Sequence, residues 1–272
     1  MRFLGFVRND ERWIASVQGE KAHPLAEIND FYEDVDRFLD SPFAEPAIPL
    51  SSLQQVPMIP QTSKILCVAV NYESHRTEAE NKAPMPTTKY PIVFGRWAST
   101  LAVHGGSARV PRRELGLDWE GELAAIVGRQ CHRVDEGAAE EAVLAYTCFN
   151  DLSARRHQSH QFTIGKNADS SGPIGPVAVT RDELGTAYDL KLETVVNGEI
   201  VQSASTSEML FSIGDVIAYA SDCMTINPGD VIATGTPEGV GVLRDPPMYL
   251  TDGDWVEVSI ERIGSLRTRV VA

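Results

Sequence analysis

The chain has 272 residues, of which 43% are hydrophobic, and 24 Lys and Arg stand against 38 Asp and Glu for a net charge of −14. This composition is typical of a globular protein, and the length allows one large domain or one domain with a small appendage. The negative charge argues against nucleic acid or an anionic membrane as a partner, and any acidic substrate would need local positive charge.

Short strands dominate the predicted secondary structure. Residues 1–60 are predicted to form a small appendage, with a hairpin over residues 3–7 and 12–17, a helix over residues 26–39 and a proline-rich connector. The other predicted strands are residues 65–70, 92–94, 122–127, 176–179, 190–196, 231–234 and 255–260. The other predicted helices are residues 72–83, 136–145, 207–213 and 216–222. Residues 61–272 are therefore predicted to form a β-rich α+β domain rather than a regular βαβ alternation.

The four cysteines are dispersed and form no CxxC pair. Together with the lack of a secretion signal, this predicts reduced thiols in a cytoplasmic protein. No stretch approaches the roughly 18 consecutive apolar residues of a membrane-spanning helix. We therefore expect neither disulfides nor a membrane anchor.

A row of three carboxylates precedes an apolar run. Asp118, Glu120 and Glu122 alternate along the chain, and residues 123–127 are all apolar. In a strand, Glu120 and Glu122 project from the same face, where their charges repel. A bound divalent cation would relieve this repulsion, and oxygen ligands select Mg²⁺ or Mn²⁺ before Ca²⁺ and argue against Zn²⁺. An isolated Glu-x-Glu pair also occurs on the open face of edge strands. From the repulsion alone, Glu120→Ala should cost little stability.

A third candidate ligand is Asp151, which ends the next apolar segment and is predicted to face the same space. Arg155 and Gln158 follow at plus four and plus seven, so the three share one face if a helical turn starts at Asp151. The arginine would then bind a carboxylate through two N–H groups, and the glutamine would donate from its amide. An Asp-x-x-x-Arg pair also fits an exposed helix.

Three further segments carry candidate reactive groups. Lys166 lies on a loop rich in glycine and proline, where a constrained ammonium would stabilise an oxyanion, although a solvated loop lysine fits equally. His75 and Glu78 meet in a helical turn, where the carboxylate would orient the imidazole as a general base, although surface pairs share this spacing. Thr236 belongs to the glycine-rich residues 234–241, which lack the pattern of a dinucleotide site and are predicted to line a pocket.

Taken in order, these motifs resemble the fumarylacetoacetate hydrolase family from about residue 64 to residue 271. Each motif is weak alone, whereas their order and spacing are specific. The segments that carry the resemblance are Asn71-Tyr72 with His75 and Glu78, Asp118-Trp119-Glu120-Gly121-Glu122-Leu123, Asn150-Asp151-Leu152-Ser153-Ala154-Arg155, Lys166, Gly175-Pro176, Asn197-Gly198 with Gln202, and Pro228-Gly229-Asp230-Val231-Ile232-Ala233-Thr234-Gly235-Thr236-Pro237.

The resemblance implies a fold, a metal and a set of contacts. The implied fold is a mixed β-sheet roll with a small N-terminal α+β appendage, and such proteins are usually dimers. Mg²⁺ or Mn²⁺ would be held by Glu120, Glu122 and Asp151, and His75 and Glu78 would lie on a mobile lid. The implied substrate contacts are Tyr72, Arg155, Gln158, Lys166 and Thr236.

The chain departs from the family pattern at several positions. Gly95-Arg96-Trp97 stands where Lys-Pro is usual, Arg156 follows Arg155 where Asp is usual, and Asn167 follows Lys166 where Ser is usual. Arg96 and Arg156 would add positive charge if they reached the pocket. The substrate end of the site is therefore the variable part of the prediction.

These parts predict hydrolytic C–C cleavage of a 2,4-dioxo acid, such as an acylpyruvate. The metal would chelate the 2-oxo acid and stabilise an enolate, His75 would activate water, and Lys166 would stabilise the oxyanion or help to protonate the product. Isomerisation or hydration of an unsaturated 2-oxo acid, and decarboxylation of oxaloacetate, use a related enolate and stay open as alternatives. A non-catalytic binder of 2-oxo acids could dispense with His75 and Lys166, and their presence argues against it.

Overall fold

The computed structural model describes residues 1–39, 43, 45–82, 88–158 and 161–272. Most of this part of the chain is organised by strands. In chain order, the strands of the described residues are β1 (Arg2–Arg8), β2 (Glu11–Gln18), β3 (Lys21–Glu27), β4 (Ile48–Pro49), β5 (Gln55–Val56), β6 (Lys64–Ala69), β7 (Ile92–Trp97), β8 (Leu101–Ala102), β9 (Ser107–Arg109), β10 (Gly121–Val127), β11 (Val143–Asn150), β12 (Gly172–Thr180), β13 (Lys191–Val196), β14 (Glu199–Ser205), β15 (Val231–Ala233), β16 (Trp255–Ile260) and β17 (Gly264–Val271).

The helices are short and lie between the strands. In the described residues they are α1 (Ile28–Glu33), α2 (Val35–Leu39), α3 (Glu73–Glu80), α4 (Glu136–Glu141), α5 (Arg155–Gln158), α6 (Phe162–Lys166), α7 (Arg181–Leu184) and α8 (Ile213–Ser221). Turns of 3-10 helix occur at Leu50–Ser52, Ala98–Thr100, Thr206–Glu208 and Gly241–Leu243. None of the described helices is long and apolar enough to cross a membrane. The β-rich α+β class predicted from the sequence is confirmed.

Two sheets form the fold. The larger has twelve strands in the order β4-β3-β2-β1-β12-β11-β10-β15-β6-β7, with β5 paired to β1 and β8 paired to β12. Its pairs are mostly antiparallel, but β15 runs parallel to β6 and β12 runs parallel to β8. The second sheet has five strands in the order β14-β13-β16-β17-β9. The larger sheet is therefore mixed, as the resemblance implies.

Strand β10 lies at the centre of the larger sheet, and all seven of its residues are buried. Leu123 and Ala125 pack into a hydrophobic cluster shared with the second sheet and with α8. Ala124 and Ile126 pack on the other face, in a cluster shared with α1. Because both faces are covered, the strand carries a continuous apolar run rather than an alternating one. The site described below is built at the ends of this rigid strand and of its neighbour β11.

Three predicted helices are partly wrong. In residues 207–213, a 3-10 turn covers Thr206–Glu208 and α8 begins only at Ile213, because the Ser212 side chain caps the helix there. In residues 26–39, a strand extends to Glu27 and two short helices follow, because Lys21–Glu27 buries every second side chain and so has the period of a strand. The Glu27 carboxylate then accepts the N–H groups of Asn29 and Asp30 and starts α1. In residues 136–145, the helix stops at Glu141 and β11 begins at Val143. All eight residues of β11 are buried, and a buried apolar run has the same hydrophobic pattern in a strand and in a helix.

The N-terminal residues join the larger sheet. Strand β1 pairs with β12, with Arg2 opposite Val179 and Phe3 opposite Ala178. Phe3 also packs into the cluster that contains Ala124 of β10. Residues 1–60 thus share a core with the rest of the chain, and we propose residue 60 as the boundary of an appendage that completes the sheet. Residues 40–42 and 44, at the start of the predicted connector, and residues 83–87, the first of which ends the predicted helix 72–83, lie outside the described residues.

Candidate metal centre and active site

Three buried carboxylates meet where β10 begins and β11 ends. Gly121 lies opposite Asn150 in the antiparallel pair, so Glu120 and Glu122 at one strand end come next to Asp151 at the other. The Asp151 N–H donates to the Glu120 carbonyl at 2.9 Å and fixes this arrangement. Carboxylate oxygens of Glu120, Glu122 and Asp151 all lie within 4.8 Å of one another. The structure therefore brings together the three ligands expected from the sequence.

Three cations surround this carboxylate triad, two of them buried and one, Arg155, 16% exposed. The Lys166 ammonium lies 2.6 Å from both Glu120 Oε2 and Asp151 Oδ2 and is 1% exposed. Arg155 contacts Glu120 Oε1 at 2.5 Å, and Arg96, with a fully buried side chain, contacts Asp151 Oδ1. Each of Glu120 and Asp151 is thus paired with two cations, whereas the third carboxylate is not.

Glu122 is the carboxylate without a counter-charge. Among the described residues it forms no ion pair, and its Oε2 accepts only a backbone N–H, from Gly235 at 2.9 Å. Burial, together with the charges of Asp151 and Glu120, raises the pKa of Glu122 well above its usual range. Burial alone would also raise the pKa of Glu120, but Lys166 and Arg155 lower it to about 2. Glu122 is therefore the member of the triad whose ionised form the described residues do not compensate.

The donor set of this centre fits a hard divalent cation. All three candidate ligands are carboxylates, whose oxygens suit Mg²⁺, Mn²⁺ or Ca²⁺ and not Zn²⁺. Tyr72 adds a second observation, because its fully buried hydroxyl has no hydrogen-bond partner in the described part of the structure. Glu122 raises the pKa of Tyr72 further, after the larger effect of burial, so its phenol lies near the triad as a neutral group. A divalent cation would supply the counter-charge that Glu122 lacks among the described residues.

Asp118, the first carboxylate of the row, does not join the triad. Its Oδ2 accepts from Arg155 Nε at 2.8 Å, and its Oδ1 accepts from the Gly241 N–H at 2.6 Å. Burial raises the pKa of Asp118, and Arg155 opposes that rise. Of the three carboxylates in the row, Glu120 and Glu122 thus belong to the triad, whereas Asp118 pairs with Arg155 outside it.

The centre borders a cavity of about 200 Å³, which Glu120 and Lys166 help to line. Both polar and apolar side chains complete the lining. The polar lining residues are His75, Glu120, Arg155, Gln158, Lys166 and Thr236. The apolar lining residues are Val68, Ala69, Val70, Ala79, Phe94, Phe162, Val240, Val242 and Leu243. Six of the ten site residues predicted from the sequence therefore share one cavity.

The candidate base pair covers this cavity from α3. His75 Nδ1 lies 3.2 Å from Glu78 Oε2, and the other Glu78 oxygen accepts the Gly239 N–H at 3.0 Å. Because Glu78 occupies Nδ1, Nε2 is the ring nitrogen of His75 left to exchange a proton with a ligand. The predicted pair is therefore formed at the cavity.

The remaining predicted contacts differ in their placement. Gln158 Oε1 accepts from Arg155 Nη1 at 2.9 Å, which leaves the amide N–H groups of Gln158 to donate to a ligand. Thr236 donates to the Gly121 carbonyl at 3.0 Å and lines the cavity. Tyr72 is fully buried and does not line the cavity, so the structure does not show the substrate contact expected for it.

A comparison with known protein families matches the same part of the chain as the resemblance found in the sequence. A model described as fumarylacetoacetate (FAA) hydrolase C-terminal matches residues 64–271. The chain belongs to the fumarylacetoacetate hydrolase family. Within this family member, the matched segment contains the triad, the three cations and the His75–Glu78 pair.

Curated relatives of this family member include tautomerases. An oxaloacetate tautomerase of Bacillus subtilis is 40% identical over 81% of this chain and 74% of the relative. A mitochondrial oxaloacetate tautomerase of Xenopus laevis is 37% identical over 81% of this chain and 69% of the relative. The crystal structure of a 5-carboxymethyl-2-hydroxymuconate delta-isomerase from Mycobacterium smegmatis has 32% identity and a TM-score of 0.82, and covers 100% of this chain and 99% of that chain. These three relatives are thus named as two tautomerases and an isomerase.

The two arginines that depart from the family pattern, Arg96 and Arg156, lie in different parts of the structure. Arg96 pairs with Asp151 and is 2% exposed, so it does bring positive charge to the triad. Arg156 is exposed and donates to the carbonyl of Arg113, so it does not. The sequence signal for Arg96 was a basic residue inside an apolar strand, but strand β7 was predicted to end at residue 94.

Proposed function

We propose that the protein is a divalent-metal-dependent enzyme that interconverts the keto and enol forms of a small 2-oxo acid, with oxaloacetate as the substrate. The observation that carries this proposal is the charge balance of the centre beside the cavity. Four buried carboxylates lie against three cations, of which Arg96 and Lys166 are buried and Arg155 is 16% exposed, so a divalent cation would leave one net positive charge. That charge gives a protein of net charge −14 the means to hold an anionic substrate.

The size of the cavity supports a small substrate. Its volume of about 200 Å³ is below the roughly 300–1,000 Å³ of sites that hold drug-sized ligands. Two curated relatives are named for a reaction of oxaloacetate, an acid with four carbons. Arg155 and the Gln158 amide would hold its carboxylates by charge-assisted and neutral hydrogen bonds.

The roles of the protein groups follow from their contacts. When bound, the metal would supply a Lewis acid that favours negative charge on the 2-oxo oxygen. Burial alone would lower the pKa of Lys166, but Asp151 and Glu120 raise it, so this ammonium stays charged and donates a hydrogen bond to the same oxygen. His75 Nε2 takes the proton from C3 and returns a proton to the oxygen, which converts the ketone into the enol with no net change in protons.

Hydrolysis of an acylpyruvate is the second candidate function. The observation that favours it is the His75–Glu78 pair, because a carboxylate-oriented imidazole at the cavity would also activate water against a distal carbonyl. Isomerisation of an unsaturated 2-oxo acid and decarboxylation of oxaloacetate use the same groups without water attack. The homodimer and the cytoplasmic location expected from the sequence remain predictions.

One assay separates these reactions. The enol absorbance of oxaloacetate and of acetylpyruvate is followed with Mg²⁺, with Mn²⁺ and with EDTA, and pyruvate, acetate and CO₂ are then quantified. Metal-dependent acceleration of the oxaloacetate change, with no new product, would support the tautomerase. Formation of pyruvate and acetate from acetylpyruvate would support the hydrolase instead. A rate equal to that of metal in buffer alone, for both substrates, would refute the proposed function.

A further inference from the structure

Asp118 is fully buried and has its whole carboxylate engaged. Its Oδ1 accepts the N–H groups of Trp119 at 2.9 Å and Gly241 at 2.6 Å. Its Oδ2 accepts the N–H of Val242 at 3.2 Å and Nε of Arg155 at 2.8 Å. Asp118 thus binds a cavity-lining arginine and a cavity-lining turn at the same time.

The turn that Asp118 holds, residues 239–242, has little freedom to move. A Cβ atom added at Gly241 would lie 2.1 Å from the Met248 carbonyl oxygen, and one at Gly239 would lie 2.1 Å from the Val201 carbonyl oxygen. The Trp119 indole N–H also donates to the Gly239 carbonyl at 3.0 Å. Because the backbone is packed this closely, the hydrogen bonds from Asp118 and Trp119 fix its position.

The other side of this turn holds α3. The Gly239 N–H donates to Glu78 at 3.0 Å, and Glu78 in turn contacts His75. None of the residues of α3 is buried, so the helix docks with little apolar packing of its own. A segment with few buried contacts opens easily, and each hydrogen bond that docks it carries a large share of its local stability.

We propose that Asp118 is a positioning residue that couples Arg155 to the His75–Glu78 pair through the turn at residues 239–242. It aligns the arginine with its Oδ2 atom and orders the docking surface for α3 with both oxygens. The kinetic consequence rests on the proposed function, because Arg155 and His75 act on the same substrate there. The structural consequence, an ordered α3, holds for any ligand of this cavity.

The test is the Asp118→Asn variant, which keeps the size of the side chain. Its remaining oxygen still accepts from Trp119 and Gly241, but the new NH₂ group faces the N–H donors of Val242 and Arg155 and repels both. We expect amide hydrogen exchange in Glu73–Glu80 to accelerate by about tenfold or more, the effect of losing one hydrogen bond to a charged group. Exchange in the buried strand Gly121–Val127 should stay as in the wild type and serves as the internal reference.

A matched control is Asp230→Asn. Asp230 is also buried, and it accepts the backbone N–H groups of Lys64 and Asn227 at 2.7 Å, away from the cavity. This variant should lose thermal stability without faster exchange in Glu73–Glu80. Equal acceleration in both variants, or wild-type exchange of α3 in Asp118→Asn, would overturn the proposal.

Kinetics distinguish the coupling from a failure of the proposed function. With whichever 2-oxo acid the assay identifies, Asp118→Asn should raise KM and lower kcat together, because both Arg155 and His75 lose their alignment. The exchange experiment needs no substrate, so it decides the coupling even if oxaloacetate is not turned over. If Asp118→Asn does not fold, Trp119→Phe removes the bond to the Gly239 carbonyl and should accelerate α3 exchange less strongly, whereas no acceleration would contradict the proposal.

Discussion

Replacement of Lys166 by methionine should destabilise the metal-free protein far more than the metal-loaded protein. The ammonium is buried between Glu120 and Asp151 at 2.6 Å from each, and methionine keeps most of its volume without the charge. Removing one partner from a buried ion pair costs about 3–5 kcal/mol, because the remaining charges lose their compensation. For a chain of this size, that corresponds to a fall in Tm of roughly 6–20 °C in EDTA.

Saturating Mg²⁺ or Mn²⁺ should restore most of this loss, since a divalent cation at the triad neutralises the same carboxylate oxygens. By linkage, a restored 3–5 kcal/mol appears as an affinity for the metal that is tighter by up to about 10²–10³-fold than in the wild type. Thermal unfolding in EDTA and in metal, with titration calorimetry for the Kd, measures both effects.

Lys64→Met is the matched control for this prediction. Lys64 pairs with the buried Asp230 at 2.6 Å, outside the cavity, so its loss should lower Tm equally with and without metal. An equal fall in Tm for Lys166→Met in EDTA and in metal would refute the view that Lys166 and the cation neutralise the same carboxylates.

Three further predictions concern the same centre. Glu120→Ala should abolish turnover and lower the Tm in EDTA, because Lys166 and Arg155 both lose an ion-pair partner. A Tm equal to that of the wild type would contradict this. We expect oxalate, a dicarboxylate that resembles the enolate of a 2-oxo acid, to raise the Tm in Mg²⁺ equally for the wild type and for His75→Ala. His75→Ala should lose the metal-dependent turnover, and a full rate would remove His75 from the mechanism. Because the pKa of Glu122 is raised, the metal-free folded protein keeps a proton that the unfolded chain releases above about pH 4.3. The stability of the metal-free protein should therefore fall as the pH rises from there, and the increase in Tm on adding Mg²⁺ should grow. An increase in Tm that does not depend on pH between about 5 and 8 would refute this.

The triad was predictable from the sequence because it depends on local rules. The period of a strand places Glu120 and Glu122 on one face, and Asp151 follows the neighbouring strand. The repulsion argument, however, predicted that Glu120→Ala would cost little, and the structure reverses this expectation. The two cations on Glu120 come from residues 35 and 46 positions away, and no pattern in the sequence gives their distances.

Tertiary contacts, which no sequence pattern gives, also explain the other differences between the predictions and the structure. The first three residues of strand β11 were predicted as the end of a helix, because the burial of this strand comes from β10 and β12 on both sides, which is a tertiary contact. Arg96 was noticed as a departure, but its contact with Asp151 depends on the pairing of β7 with β6 at the far side of the sheet from β11. Asp118 was grouped with the other two carboxylates, and only the packing of the turn at residues 239–242 separates its role from theirs.

Three cations explain how a cluster of buried acidic residues stays folded without a metal. Arg96, Arg155 and Lys166 pair with Glu120, Asp151 and Asp118, whereas Glu122 has no ion-pair partner among the described residues and keeps a raised pKa. A centre held in this way would need little rearrangement to accept a cation, because the oxygens are already placed and the main change would be on the Glu122 side. Arg155 and Lys166 also line the cavity, where their fixed charges would act on developing negative charge of a substrate without any cost of reorganisation. The groups that stabilise the metal-free centre are therefore the groups that would do its chemistry, and a variant that loses one of them should lose both properties.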